Sequence, residues 1–207
     1  MSTDVVAIDG PAGSGKSTVA RALAAALNWS FLDTGAMYRA VTSEVLYRGV
    51  DPEDVDAVAQ VARAVVIATE PRVLVDGRDV GDQLRDAAVN QAVSAVASNP
   101  AVRAAMVERQ RAWVAAQPGG AVVEGRDIAT VVFPSASLKV FLTASLGERA
   151  RRRGDEGLSS IARRDDADRE RAASPLRRAR DAIEIDTTDR SIDDVVKEII
   201  TCLKTPI

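Results

Sequence analysis

Gly10-Pro11-Ala12-Gly13-Ser14-Gly15-Lys16-Ser17 follows the short apolar run Val5 to Ile8 and its closing Asp9, and it precedes Thr18 to Leu27, whose composition is helical. Strand, glycine-rich turn and helix is the reading. The octapeptide fits G-x-x-x-x-G-K-[ST], a pattern that has a mechanism only between a strand and a helix, as here. Glycines let backbone N–H groups turn inward on phosphates, and the helix N-terminus adds partial positive charge. The reading predicts that Gly10, Pro11, Ala12, Gly13, Ser14, Gly15, Lys16, Ser17 and Thr18 bind ATP, with Lys16 as a catalytic cation on the β- and γ-oxygens. The Ser17 hydroxyl would take one position on a Mg²⁺ carried by the ATP.

Outward from this loop the chain alternates. Ser30 to Leu32, Val122 to Glu124, Leu138 to Leu142 and Ile183 to Ile185 read as further strands. Between and after them fall helical stretches: Gly35 to Arg48, a segment opened by Asp51 as N-cap with Pro52 at its first position, Ala87 to Ser98, Ala101 to Gln117, Leu146 to Arg153 and Ile192 to Leu203. Strands alternating with helices predict an α/β fold, a central parallel sheet flanked by helices in the manner of P-loop NTPases. Two stretches break the alternation. Val65 to Thr69 and Arg72 to Val75, with Asp76-Gly77 as a turn, read as a small antiparallel hairpin within an excursion over 40–98. Residues 149–180 hold eleven arginines and read as a short lid. The expected plan is core at 1–39, an inserted substrate-binding subdomain at 40–98, core at 99–148, lid at 149–180 and core at 181–207.

Composition narrows the chemistry. A net charge of −3 in 207 residues argues against general attraction to nucleic acids or anionic membranes, so any anion site is local. One cysteine and no histidine exclude an internal disulfide, a Cys/His zinc site and Ser-His-Asp activation. No signal-peptide-like or membrane-spanning run is present, and a cytoplasmic protein is expected. The guanine-reading Asn-Lys-x-Asp and the switch Asp-x-x-Gly of GTPases are both absent.

Three charged clusters suit a second phosphorylated ligand. Asp33-Thr34-Gly35-Ala36-Met37-Tyr38-Arg39 lies just past the second strand, where ligands of parallel sheets sit. Asp33 there could orient a magnesium-bound water or cap the following helix, and Arg39 could hold a phosphate or be a solvated charge. Glu124-Gly125-Arg126-Asp127 likewise follows a strand; arginine suits a phosphate, aspartate accepts from an amino group, and an ordinary strand-end ion pair is the alternative. The run from Arg163 to Arg171 resembles a salt-bridged solvated helix, yet Arg164, Asp168 and Arg171 would share one helical face. A phosphate acceptor needs little base catalysis, because a monoester with a second pKa of about 6 is already anionic at neutral pH. Positioning, charge neutralisation and exclusion of water are what the transfer requires.

With these residues in hand, the chain resembles bacterial cytidylate kinases. The matching strings are Ile8-Asp9-Gly10-Pro11, Phe31 to Arg39, Gly125-Arg126-Asp127-Ile128, Thr130 to Pro134, Ser174-Pro175-Leu176 and Ile185-Asp186-Thr187-Thr188. The resemblance implies an ATP-dependent nucleoside monophosphate kinase acting on CMP and dCMP, with UMP weaker, as a monomer. It implies that Thr34, Arg103 and Asp127 read cytosine, that Arg39, Arg126 and Arg171 hold the acceptor phosphate, and that Ser94, Arg164 and Asp168 meet the sugar. Lys16, Arg126, Arg171 and Asp33 are the expected catalytic set, and the 40–98 excursion is the expected nucleoside-monophosphate-binding subdomain.

Two departures stand out. Ala129 replaces the family's usual glycine, and some twenty residues of the usual lid are missing between Arg153 and Arg163. The second leaves open which of Arg149, Arg151, Arg152 and Arg153 reaches the transferring phosphoryl group, and predicts a modestly higher ATP hydrolysis rate. Alternative readings are a P-loop kinase for UMP or a metabolite, and a non-catalytic ATP-binding module.

Overall fold

The computed structural model describes residues 4–154, 158–170 and 174–204, the side chains of Ser160 and Arg164 excepted. The strands are β1 (Val5–Asp9), β2 (Ser30–Asp33), β3 (Ile67–Ala68), β4 (Leu74–Val75), β5 (Arg78–Asp79), β6 (Ala121–Gly125), β7 (Leu138–Thr143) and β8 (Ile183–Asp186). The helices are α1 (Lys16–Leu27), α2 (Thr34–Tyr47), α3 (Val55–Ala64), α4 (Ala87–Ser98), α5 (Pro100–Ala115), α6 (Leu146–Arg153), α7 (Leu158–Glu170) and α8 (Ile192–Lys204). Two compact units result, Met1–Leu32 with Trp113–Ile207, and Asp33–Ala112; the second contains the 40–98 stretch and extends beyond it at both ends.

The first unit is built on a five-stranded sheet of order β2-β6-β1-β7-β8. β1 pairs parallel with β6 on one side and β7 on the other, and β7 pairs parallel with β8. All five residues of β1 and of β6 are buried, as continuous strands covered on both faces must be. Val19, Ala20 and Leu23 of α1 and Val195, Val196 and Ile199 of α8 join Ile8, Val122, Val140 and Leu142 in one apolar core. Because Asp9 lies opposite Gly125 in the register, the chain leaves β1 and β6 at the same carboxyl edge. Gly10 and Arg126 are the next residues on each, so the glycine loop and the Arg126-Asp127 pair begin side by side.

In the second unit α2 packs against α3, α4, β4 and a 3₁₀ turn at Gly81–Arg85. Where a two-stranded hairpin was expected, β3, β4 and β5 form a three-stranded antiparallel sheet. The third strand consists of only Arg78 and Asp79, two polar residues that carry no strand signal of their own. Asp76 (φ 48°) and Gly77 (φ 81°) do make the expected turn between β4 and β5. A second correction concerns α3, which is capped by Asp54 rather than Asp51: Asp54 Oδ1 accepts from Ala57 N at 3.0 Å. Asp51 spends its carboxylate on Glu53 N in a preceding turn, so the helix cannot begin until that turn has closed. Glu44, buried on α2, receives Arg48 Nε and Arg78 Nη2, each at 2.7 Å, and Arg78 stacks 4.2 Å over the Tyr47 ring. That carboxylate ties β5 to the helix.

Candidate active site

The loop from Gly10 to Gly15 turns tightly at residues with positive φ, Gly10 at 152°, Gly13 at 77° and Gly15 at 86°. Sterics add to the requirement at Gly10 and Gly13. A Cβ on Gly10 would stand 2.1 Å from the Leu142 carbonyl oxygen, and one on Gly13 2.8 Å from that of Arg149. α1 starts at Lys16, two residues earlier than its composition suggested, so the loop's last residues already belong to the helix N-terminus. Ser17 and Thr18 are exposed there, while Lys16 is buried and donates from Nζ to Pro11 O at 2.7 Å. Burial, with the Arg126 guanidinium nearby, lowers the Lys16 pKa to about 7, and Glu124, Asp168 and Asp9 oppose that shift. Phosphate oxygens would reverse it, because an anion favours the ammonium form.

Arg126 is the hub of the strand-end cluster. Its Nε donates to Asp168 Oδ2 at 2.7 Å and its Nη1 to Gly10 O at 3.1 Å. Burial works against the charged guanidinium, but Asp168 together with Glu124 and Asp165 outweighs it and holds the pKa above its ordinary value. The structure thus brings together Arg126, Asp168 and the glycine loop, residues far apart in the sequence. Asp127 follows, buried, and opens a wide helical turn over Ile128–Val132 in which Phe133 N donates to Ile128 O. Ala129, in place of the family's usual glycine, sits buried in that turn without positive φ, so a side chain is accommodated.

Asp9 is a residue that sequence reasoning missed. It is 1% exposed, and its Oδ1 and Oδ2 accept from Ile128 N at 2.9 Å and Ala129 N at 2.8 Å. Burial pushes its carboxyl up to about 6 despite those two bonds, with Asp127 adding to the rise and Lys16 opposing it. The only signal was a carboxylate closing an otherwise apolar buried strand.

The arginines of α6 separate by role. Arg149 is buried, its Nη1 donating to Asp165 of α7 and to Ala12 O at 3.1 Å, and its Nε to Ala144 O. Arg152 donates to Thr187 Oγ1 at 2.9 Å and to Thr187 O at 2.8 Å, and the Thr187 hydroxyl lies 3.1 Å from Ser14 O. Arg151 is exposed and pairs with Glu148, whose carboxyl that contact lowers to about 2. Arg149 thus contacts the phosphate loop directly, and Arg152 is linked to it through Thr187.

In the second unit, Asp33 caps α2, its Oδ1 accepting from Ala36 N at 2.9 Å, and Thr34 is buried at the helix start. Arg39 Nη1 donates to Leu84 O and to Asn90 Oδ1, both at 2.8 Å; Asn90 is a partner that the sequence did not suggest. Arg103 is buried, donates to Ala97 O at 3.0 Å and lies 5.4 Å over the Tyr38 ring. Ser94 is half-buried on α4. Arg171 and the side chain of Arg164 lie outside the described residues.

Comparisons with known proteins fit this geometry. The chain resembles in fold a gluconokinase from Sinorhizobium meliloti 1021, with a TM-score of 0.52 at 16% identity over 98% of this chain and 92% of that one. In sequence it is 49% identical to a cytidylate kinase of Geobacillus kaustophilus over 94% of both chains. It is 48% identical to one of Mycobacterium avium over 96% of this chain and 95% of that one. These alignments run over 212 and 217 positions, more than the 207 residues of this chain, so each relative carries residues absent here. The cytidylate kinase family model matches residues 6–205, and the chain belongs to the cytidylate kinase family.

Proposed function

We infer that this chain transfers the γ-phosphoryl group of ATP to CMP or dCMP, giving CDP or dCDP and ADP. The observation that carries the reading is Arg126, a half-buried cation held between the glycine loop and Asp168 in a chain of this family. An acceptor oxygen that is already anionic attacks the γ-phosphorus as the bond to the β-bridging oxygen breaks, and the electron pair leaves with ADP. No base need remove a proton. The protein's contribution is to bring two anions together: loop N–H groups and Lys16 on the donor, Arg126 with Arg39 and Arg171 on the acceptor phosphate. Thr34, Arg103 and Asp127 are assigned to the cytosine, and Ser94, Arg164 and Asp168 to the sugar.

The ion we expect is a Mg²⁺ that arrives with the nucleotide. The exposed Ser17 hydroxyl fits one position on such a Mg²⁺, and Asp33 could act through water with the carboxylate oxygen not used in its cap. When bound, that ion would neutralise charge on the β- and γ-oxygens. We assign 40–98 to acceptor binding and 149–180 to a lid, and take the protein to be cytoplasmic and monomeric. ADP formation from ATP and Mg²⁺ with CMP, dCMP, UMP, AMP, GMP or no acceptor tests the reading, with Lys16→Ala as control. Turnover confined to CMP and dCMP, with weaker UMP, and lost in the control is the expected result; turnover independent of acceptor would overturn it.

A further inference from the structure

Three successive carbonyls of the glycine loop each accept from a cation: Gly10 O from Arg126 Nη1, Pro11 O from Lys16 Nζ and Ala12 O from Arg149 Nη1. Lys16 and Arg126 meet substrate phosphates in the proposed reaction, whereas Arg149 is spent on protein. Its Nε holds Ala144 O, and its Nη1 also pairs with Asp165 of α7. Asp165 is 2% exposed, and its other oxygen, Oδ1, has no hydrogen-bond partner among the described residues, so the hydrogen bonding of this carboxylate goes to Arg149. A buried ion pair gains little stability over an apolar pair of the same size. What this one does gain is a guanidinium fixed on a peptide of the loop.

A peptide unit is planar and trans, so the C=O of one residue and the N–H of the next point in opposite directions. With Ala12 O drawn to Arg149, the N–H of Gly13 points away from it, and turning that peptide over would break the bond. Gly13 has φ 77°, and a glycine resists such a turn less than other residues, having no Cβ to restrict it. The Arg149 backbone packs against Gly13, which places α6 along this part of the loop. Two residues on, Ser14 O lies 3.1 Å from the Thr187 hydroxyl, but that hydroxyl has one proton and Thr143 O stands 3.0 Å away as a competing acceptor. The Asp165–Arg149 brace is the firmer of the two.

We propose that Asp165 is a positioning residue for the donor nucleotide: it fixes Arg149 on Ala12 O and thereby holds the Gly13 N–H on the side of the loop offered to the donor phosphates. The inference rests on the reading of 10–17 as the ATP loop. Donors already aimed where negative charge will sit need no reorganisation when it arrives. A loop free to turn this peptide over would present a carbonyl oxygen to the phosphates in part of its population, and that oxygen repels them. The loss should fall on ATP and spare CMP, whose assigned contact on α7 is Asp168.

The test is a double-variant cycle on binding. Calorimetry gives Kd for the β,γ-imido analogue of ATP with Mg²⁺, and Kd for CMP, in wild type, Arg149→Met, Asp165→Leu and the double variant, and urea unfolding of each gives its stability. Each single variant should bind the analogue about tenfold or more weakly, the scale of one hydrogen bond to a charged group, and CMP less than about threefold more weakly. The double variant should regain stability over the singles, since no buried charge is stranded, yet bind the analogue within about twofold of Arg149→Met, because Asp165 acts through Arg149. A pair with a merely structural role gives the opposite, affinity that returns with stability, and that result would overturn the proposal. So would unchanged analogue affinity in Arg149→Met, or equal weakening of analogue and CMP in Asp165→Leu, the mark of a displaced α7. A wild type that binds CMP and not the analogue would overturn the ATP-loop reading, and the proposal with it. If Asp165→Leu does not fold, Asp165→Asn, of the same shape without the charge, takes its place in the cycle.

Discussion

Arg126 and Asp168 form a charge pair, Nε to Oδ2 at 2.7 Å, that leaves another arm of the guanidinium on the Gly10 carbonyl at 3.1 Å. α7 is thereby tied through one arginine to the phosphate loop. The guanidinium suits this bridging because its planar fork can satisfy two acceptors in different directions, which a lysine ammonium cannot do with the same geometry.

Asp168→Ala is therefore expected to act on the arginine more than on the sugar. It leaves a largely buried guanidinium without its countercharge, and kcat/KM for CMP should fall by about a hundredfold, within the range for breaking such pairs. Arg126→Lys should fall comparably although the charge is kept. Steady-state kinetics on both variants check this; near-normal turnover in Arg126→Lys would show that charge alone suffices.

Asp9 gives stability a specific pH dependence. The unperturbed carboxyl titrates at 3.8, and in the fold it titrates at about 6. Between those values the folded protein keeps a proton that the unfolded chain has released. The stability this confers is therefore complete below 3.8 and is lost as pH rises through 6, about 3 kcal/mol in all. Urea unfolding of wild type and Asp9→Asn from pH 4 to 7.5 should show wild type losing ground to the variant across that window. Two parallel profiles would mean that Asp9 is not the group responsible.

Arg149 and Asp165 are both buried and paired across α6 and α7, 16 residues apart, and Arg149 also donates to Ala12 O of the loop. Asp165→Ala should destabilise by about 3 kcal/mol or more, since it strands a buried charge. Replacing both residues with Arg149→Met and Asp165→Leu should cost less than either single change. Thermal or urea denaturation of wild type, Arg149→Met, Asp165→Leu and the double variant measures that coupling, and simple additivity would refute it.

What the sequence made legible was local. The glycine loop, the apolar strands beside it and the turn at Asp76-Gly77 each follow from residues within a few positions of one another, where periodicity and turn chemistry act. The cap of α3 was misplaced because Asp51 and Asp54 are both competent caps, and only the competing bond from Glu53 N decides between them. β5 was invisible because two polar residues become a strand only when Arg78 has Glu44 to hold. The Arg126 to Gly10 contact spans 116 residues and the Asp9 cap 119, distances at which no periodicity operates. The arginine-rich stretch could be recognised as a unit, but its members could not be ranked. That required the burial that makes Arg149 part of the interior while Arg151 stays in water.

Two glycines allow strain and collision to be separated. Gly13 and Gly77 share nearly the same backbone conformation, φ 77° and 81°, so alanine at either carries a similar penalty for the left-handed region, about 1 kcal/mol. Their surroundings differ. A Cβ at Gly77 meets nothing within 4 Å, whereas at Gly13 it would stand 2.8 Å from Arg149 O and 2.9 Å from Arg149 Cβ, backbone-anchored atoms in the middle of α6. Gly77→Ala should therefore lower stability by about 1 kcal/mol and leave the kinetics unchanged. Gly13→Ala should in addition push α6 from the loop and raise KM for ATP by about tenfold or more, an overpacking cost above 1 kcal/mol falling on the nucleotide site. Denaturation and ATP titration of the two variants decide the matter. Equal KM values would mean that the loop can shed the contact with Arg149, and that its glycine at position 13 serves backbone conformation alone.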